Sequence, residues 1–360
     1  MTSLSDLPLR ANLVGKTPYG APQDPVPVSL NVNENTHPLP ESVVAEIVAE
    51  LTRAVQGVNR YPDREFLALR ESLAAYLGNG ITPEQVWAAN GSNEVLQHVL
   101  QAFGGPGRSL LSFTPTYSMY PLLADGTDTE WIPVARPEDY ALTPDLVTRA
   151  IAEHAPDIVI LCGPNNPTGT PLDLDVVAAA YDAFDGILVV DEAYHEFDAA
   201  HPSALGLLDG RPRLLVSRTM SKAFAFAGVR LWYLAADPAV VDALRLVRLP
   251  YHLSALTQAA AIAAVRHADE MLATVADIRA QRDRLAAALT ELGYVVHPSG
   301  ANFLLVGGFS DPTATFEELR ARGILIRDLG IPGHLRMTAG TAAETTQLID
   351  ALTELSMRAL

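Results

Sequence analysis

Apolar and polar positions alternate along this chain in two rhythms. From residue 85 onward, short runs that are apolar along most of their length recur at intervals: "QVWAA", "SLLSF", "EWIPV", "DIVILC", "GILVV" and "RLLVS". Runs of this kind, apolar on both faces, suit central strands of a covered parallel sheet. Between them, apolar residues return at helical spacing. The same helical rhythm appears earlier, in "ESVVAEIVAELTRAV" and "FLALRESLAAYLG". Strands alternating with helices predict an α/β sheet, mostly parallel and doubly wound. After Leu253 comes one long helical stretch, "SALTQAAAIAAVRHADEMLATVADIRAQRDRLAAALTELG". Beyond it, short strands ("ANFLLVG", "GILIRD", "HLRMTAG") mix with the helical patterns "TATFEELRAR" and "AAETTQLIDALTELSMRAL". The predicted organisation is an N-terminal arm over 1–40, a large α/β unit over 41–260 and a smaller α+β unit over 261–360. The arm, rich in proline and turn formers, is expected to pack on the small unit or on a partner subunit.

Composition narrows the class. The formal net charge of −17 removes any global attraction for nucleic acid or an anionic membrane, so an anionic ligand must be held by local cations. No apolar run approaches the roughly 20 residues of a membrane span. The N-terminus shows no signal-peptide pattern, and a single cysteine, Cys162, excludes an internal disulfide. A cytoplasmic setting is the expectation. The histidines show no metal-ligand spacing, and no metal site is expected.

In doubly wound sheets, ligands sit beyond the carboxyl ends of the strands. The residues just past each apolar run are therefore informative. "QVWAA" leads into "NGSNEVLQHVLQAF", a glycine turn with Ser92 and Asn93 at a helix start, where an anion is favoured. "SLLSF" leads to Tyr117, "DIVILC" to Asn165 and Asn166, and "GILVV" to Asp191 and Tyr194. "RLLVS" leads to "RTMSKAFAFAGVR", with Thr219, Ser221, Lys222 and Arg230. Singly, each is an ordinary turn, cap or packing residue. Together they match the needs of pyridoxal phosphate. Those needs are an amine for its aldehyde, donors and a cation for its phosphate, a carboxylate for its ring nitrogen, donors for its phenolic oxygen, and an aromatic face. The chain has only two lysines, Lys16 and Lys222, and Lys16 lies in the arm. Arginine stays protonated, so only a lysine can take the aldehyde.

The ordered set "TPYGAPQ", "LNVNEN", "NRYPD", "WAANGSNE", "PTYSMY", "PNNPTGT", "VVDEAYHEF", "RTMSKAFAFAG", "LVRLPYHLS", "ANF", "ILIRD" and "LRMT" resembles the fold-type I pyridoxal-phosphate aminotransferases. More narrowly, it resembles the histidinol-phosphate aminotransferase family, over nearly the whole chain. The resemblance implies an aspartate-aminotransferase-like fold and a homodimer with a shared active site. It implies transfer of an amino group from histidinol phosphate to 2-oxoglutarate, giving glutamate, a step of histidine biosynthesis. An aromatic amino acid aminotransferase or a pyridoxal-phosphate decarboxylase of phosphorylated amino acids is the alternative.

The resemblance also implies roles residue by residue. Lys222 joins the cofactor and moves the proton. Asp191 faces the ring nitrogen, Asn166 and Tyr194 hold the phenolic oxygen, and Tyr117 stacks on the ring. Ser92, Asn93, Thr219, Ser221 and Arg230 take the phosphate, with Tyr61 reaching the partner's cofactor. Arg336 receives a carboxylate; with Arg327, and helped by Tyr19 and Asn33, it receives the substrate's phosphate. One residue departs from the family's pattern: "RLWY" places Trp232 where glycine is usual. Alternation along a strand would put Trp232 on the face of Arg230, and crowding of the phosphate cup is the expectation.

Overall fold

The structure, a computed structural model, describes residues 3–17 and 20–359. The N-terminal segment makes short 3-10 turns and then the brief strand β1 (Val28–Ser29). Two helices come next, α1 (Glu41–Val55) and α2 (Leu67–Leu77). The main sheet then builds up through β2 (Val86–Asn90), α3 (Ser92–Phe103), β3 (Ser109–Thr114), α4 (Met119–Gly126), β4 (Glu130–Ala135) and α5 (Pro144–His154). It continues through β5 (Ile158–Cys162), α6 (Leu174–Asp182), β6 (Ile187–Asp191), β7 (Leu214–Thr219), β8 (Leu231–Ala235) and α7 (Pro238–Val247).

These seven strands lie in the order β2-β8-β7-β6-β5-β3-β4, and only β8 runs antiparallel to its neighbours. All six apolar runs of the sequence are strands here. Every residue of β5, β6, β7 and β8 is buried, which is why those strands lack polar alternation. Helix starts carry the expected signals. Thr143 accepts from the Leu146 amide before α5, and Asp237 accepts from the Ala239 amide before α7, each with proline in the first turn.

The long helical stretch after Leu253 is three helices rather than one: α8 (Ala255–Arg266), α9 (Ala268–Leu272) and α10 (Val275–Glu291). Ser254 caps α8 by accepting from the Thr257 amide, and the chain breaks at His267, whose φ of −107° and ψ of 31° are not helical. The remaining elements are β9 (Val295–Val296), β10 (Phe303–Gly307), α11 (Pro312–Ala321), β11 (Ile324–Leu325), β12 (His334–Thr338) and α12 (Ala342–Ala359). β10 pairs antiparallel with β9 and β12, and β1 pairs parallel with β11.

The described residues form two apolar cores. The larger surrounds the seven-stranded sheet and includes α1, α2 and α8 residues. The smaller joins Val28 and Leu30 to Leu285, Leu304, Leu319, Leu335 and Leu348. The N-terminal segment touches both bodies. Arg10 and Lys16 pair with Asp128 and Asp125 at the C-terminal end of α4, and β1 then joins β11. No helix among the described residues is long and apolar enough to cross a membrane.

Beneath the sheet, Arg218 is buried between two carboxylates. Its guanidinium donates to Glu192 Oε2 at 3.0 Å and lies 3.6 Å from Glu196 Oε1. Removing the cation leaves both carboxylates buried. Arg218→Leu is expected to lower the unfolding free energy by about 3–5 kcal/mol. Urea denaturation checks this, and a wild-type midpoint would show that the two acids are adequately solvated without it.

Candidate active site

The sheet's carboxyl ends open into a cavity of about 220 Å³, lined by residues from seven segments of the chain. Each side chain arrives there for a local reason. β2 gives way to Gly91, whose φ of +87° suits glycine, and α3 starts at Ser92. A Cβ at position 91 would stand 2.3 Å from Arg230 Nη2, so the guanidinium would have to move to admit one. Ser92 and Asn93 line the cavity at the positive end of α3. Arg230 comes from the turn before β8, at a left-handed φ of 61°.

Asp191 is the last residue of β6 and is 1% exposed. The Tyr120 hydroxyl donates to its Oδ2 at 2.7 Å, and the Ala193 amide to its Oδ1 at 3.2 Å. Burial pushes its pKa up to about 6, against the lowering effect of the Tyr120 and Ala193 bonds. The carboxylate is therefore largely ionised at neutral pH, at a substantial desolvation cost that a cation in the cavity would offset.

Lys222 lines the same cavity. Its Nζ donates to the Val32 carbonyl at 2.8 Å. Burial first, then the charges of Arg336 and Arg230, pushes its pKa down to about 8, with Glu34 acting the other way. The neutral amine needed for nucleophilic chemistry is thus within reach at physiological pH.

Tyr194 is buried and accepts on its hydroxyl from Asn33 Nδ2 at 2.9 Å and from Asn166 Nδ2 at 3.5 Å. With two donors pointing at its oxygen, its own proton is left to donate elsewhere. Burial raises its pKa, so the phenol stays protonated. Tyr117 lines the cavity, and its hydroxyl donates to Asn93 Oδ1 at 3.3 Å.

Arg336 stands on β12 and is 6% exposed. Its guanidinium donates to Asn166 Oδ1 at 2.6 Å and to the Asn31 carbonyl at 2.7 Å. Arg327 is its cross-strand neighbour, the two exchanging backbone hydrogen bonds at 3.0 and 2.9 Å. Both arginines line a second cavity of about 310 Å³, which shares Tyr117, Asn166 and Arg336 with the first. Four cations thus surround two joined spaces on a strongly acidic chain, which makes a local anion trap.

Not every residue singled out in the sequence presents a free polar group to the first cavity. Asn33 reaches the first cavity, but its amide is used within the protein, holding Tyr194 and accepting from Thr338 Oγ1 at 3.0 Å. Thr219 stands a step back: its Oγ1 accepts from the Ser221 amide at 2.9 Å and so shapes the loop that carries Ser221 and Lys222. Tyr61 is 80% exposed and stacks on Tyr251 with ring centroids 4.4 Å apart. Tyr19 lies outside the described residues. Cys162 is buried, and burial pushes its thiol up to about 12, as a packing residue rather than a nucleophile.

The sequence reading missed two residues. Tyr120 comes three positions after Tyr117, a helical spacing that brings its hydroxyl to Asp191. Glu34 lines the cavity as an exposed carboxylate in the "NVNEN" segment. Trp232 also lines it. Arg230 precedes the strand, so alternation from Arg230 does not decide the matter. The register does: Trp232 pairs with Thr219, and Ser217 pairs with Asp191, which puts the indole on the face of the sheet that carries Asp191.

Comparison with known proteins gives a consistent account. The family model "Aminotransferase class I and II" matches residues 25–352. A histidinol-phosphate aminotransferase of Paenarthrobacter aurescens is 58% identical over 97% of this chain and 95% of its own. One from Mycolicibacterium smegmatis is 56% identical over 98% and 95%. Among solved structures, the histidinol-phosphate aminotransferase from Sinorhizobium meliloti in complex with pyridoxal-5'-phosphate superposes with a TM-score of 0.84 at 25% identity, covering 93% of this chain and 92% of that one. With most of its length inside the family model and such identities over nearly all of it, the chain belongs to the class I and II aminotransferases and, among them, to the histidinol-phosphate aminotransferase family.

Proposed function

We propose that the chain transfers the amino group of histidinol phosphate to 2-oxoglutarate, with pyridoxal phosphate as cofactor and a homodimer as the working form. The observation that carries this is the meeting of Lys222, Asp191 and Arg336 at one cavity, with Arg327 beside it in the next. The residues present fit the cofactor. An amine lowered in pKa, a buried carboxylate, a tyrosine with a spare proton and a helix start beside Arg230 surround one space, and Gly91 keeps side chains out of its anion end. Pyridoxal phosphate, when bound, supplies an electron-withdrawing ring that takes up the electron pair left as a proton leaves the amine-bearing carbon.

The chain's own residues would do the rest. Lys222, once off the Val32 carbonyl, would accept the proton at the substrate carbon and return it on the cofactor side. Asp191, steadied by Tyr120, would hold a proton on the ring nitrogen. Tyr194 and Asn166 would hold the phenolic oxygen. Ser92, Asn93, Ser221 and Arg230 would bind the phosphate. The cross-strand pair Arg327 and Arg336 would accept either the substrate phosphate or the carboxylate of glutamate, which lets one fork serve both halves of a ping-pong cycle. Tyr61, exposed on this chain, would face the partner's site.

The deciding experiment is a half-reaction with a panel of amines, followed by the cofactor's visible absorption. Histidinol phosphate should react with far higher kcat/KM than phenylalanine, tyrosine or histidinol. Equal use of the aromatic amino acids would overturn the reading in favour of an aromatic aminotransferase.

The same assay reads Arg327→Ala. A charge-assisted phosphate contact is worth about 1.5–3 kcal/mol. The variant should lose one to two decades in affinity for histidinol phosphate and little for histidinol; equal losses would place Arg327 away from the phosphate.

Lys222 offers a second check. In cofactor-free protein its reactivity towards an acylating reagent should rise with pH about an apparent pKa of about 8. Arg336→Leu removes the larger of its two repelling charges and should move that value up. An unchanged titration would mean that Arg336 does not act on the lysine.

A further inference from the structure

The turn at the anion end of the first cavity is closed on itself by a side chain that does not line the cavity. Asn90, the last residue of β2, and Glu94, in the first turn of α3, flank Gly91, Ser92 and Asn93. Glu94 Oε2 accepts from the Asn90 amide at 2.5 Å and from Asn90 Nδ2 at 2.8 Å. The Asn90 side chain also donates to the His252 carbonyl at 2.6 Å. His252 is held to the same strand in turn, donating from Nε2 to the Ala88 carbonyl at 2.8 Å and stacking on Trp87. Ser92 and Asn93 line the cavity, while Glu94 does not.

This bracket answers a problem that Gly91 creates. Its φ of +87° and the Arg230 guanidinium beside it favour glycine there, and glycine confines the backbone least of all residues. Yet the amides of Ser92 and Asn93, at the start of α3, find no acceptor among the described residues and have to be aimed to serve an anion. The bonds from Asn90 to Glu94 close a ring around the three residues and remove that freedom before any ligand arrives, which is what preorganised binding requires. The charge of Glu94 makes its place informative. An acid in a first helical turn favours the helix, but here it also opposes the phosphate that Arg230 and α3 attract. What it offers in return is one oxygen that accepts two N–H groups at once.

We propose that Glu94 is a positioning residue for cofactor binding: by bracketing Asn90 it fixes the Gly91–Asn93 turn so that its N–H groups meet the phosphate of pyridoxal phosphate. That role rests on the reading of the site given above.

Two variants test it. Glu94→Ala opens the bracket, and Glu94→Gln keeps an oxygen able to accept both Asn90 donors while removing the charge. The wild type and each variant are freed of cofactor and titrated with pyridoxal phosphate and, separately, with pyridoxal, which lacks the phosphate. Uptake is followed by visible absorption. The ratio of the two affinities is read within each protein, so a loss of folded material cancels. Glu94→Ala should lose about tenfold of the preference for pyridoxal phosphate, roughly the worth of one charge-assisted contact, and Glu94→Gln should keep most of it. A residue that merely stabilised the helix would lower the urea midpoint and leave the ratio alone. An unchanged ratio in Glu94→Ala would therefore overturn the inference while leaving the proposed function standing. A ratio that moves equally in both variants would overturn it too, since the charge and not the bracket would then be what matters. A wild type that takes up no pyridoxal phosphate would overturn the function itself, and this role with it.

Discussion

The site depends above all on how Arg336 is held. The residue belongs to β12, in the smaller core, yet its guanidinium donates to Asn166 on a loop of the large sheet and to the Asn31 carbonyl in the N-terminal segment. A cation buried to this degree needs acceptors placed in good geometry, and Asn166 and Asn31 supply them to its two Nη atoms. Three separate parts of the chain must therefore sit in register for the charge to be accommodated. The same charge helps to lower the Lys222 pKa, and its backbone pairing fixes Arg327 beside it. Electrostatics at the lysine and recognition at the fork thus share one anchoring requirement.

Most of the framework could be read from the chain because its signals are local. Each fully apolar run had to be a covered strand, and the residues after those runs had to gather at one edge. That reasoning brought Ser92, Tyr117, Asn166, Asp191, Tyr194 and Lys222 to one place without any contact being known. The long stretch after Leu253 misled because alanine-rich sequence carries helical rhythm across a break. The break at His267 is a backbone turn that no proline or glycine announces.

What stayed illegible depends on pairing between distant segments. Nothing in "LWYLA" says that it runs antiparallel between β2 and β7, or in which register, yet that register decides which way Trp232 faces. Tyr120 reads as a helix residue until α4 is laid against β6. Asn33 looks like a ligand contact in "LNVNEN", but its amide nitrogen donates to Tyr194 and its amide oxygen accepts from Thr338, so it braces the protein on both sides. Polar side chains at a site divide between facing outward and bracing a neighbour, and only the three-dimensional environment tells them apart.

The short segment after β1 has a mechanical meaning. Val32 caps the lysine through its carbonyl, Asn33 braces the tyrosine, and both lie just past a strand bound to β11 in the smaller core. Val32 and Asn33 are thus tied to that body through β1 and through the bonds of Asn33 with Thr338 and Asn302. A rigid rotation of the smaller core against the larger would pull on the lysine's tether and tilt the tyrosine's brace in a single stroke. The substrate grip proposed for Arg327 and Arg336 of the same body and the freedom of the Lys222 amine would then behave as one degree of freedom, like a latch and a trigger cut from the same lever.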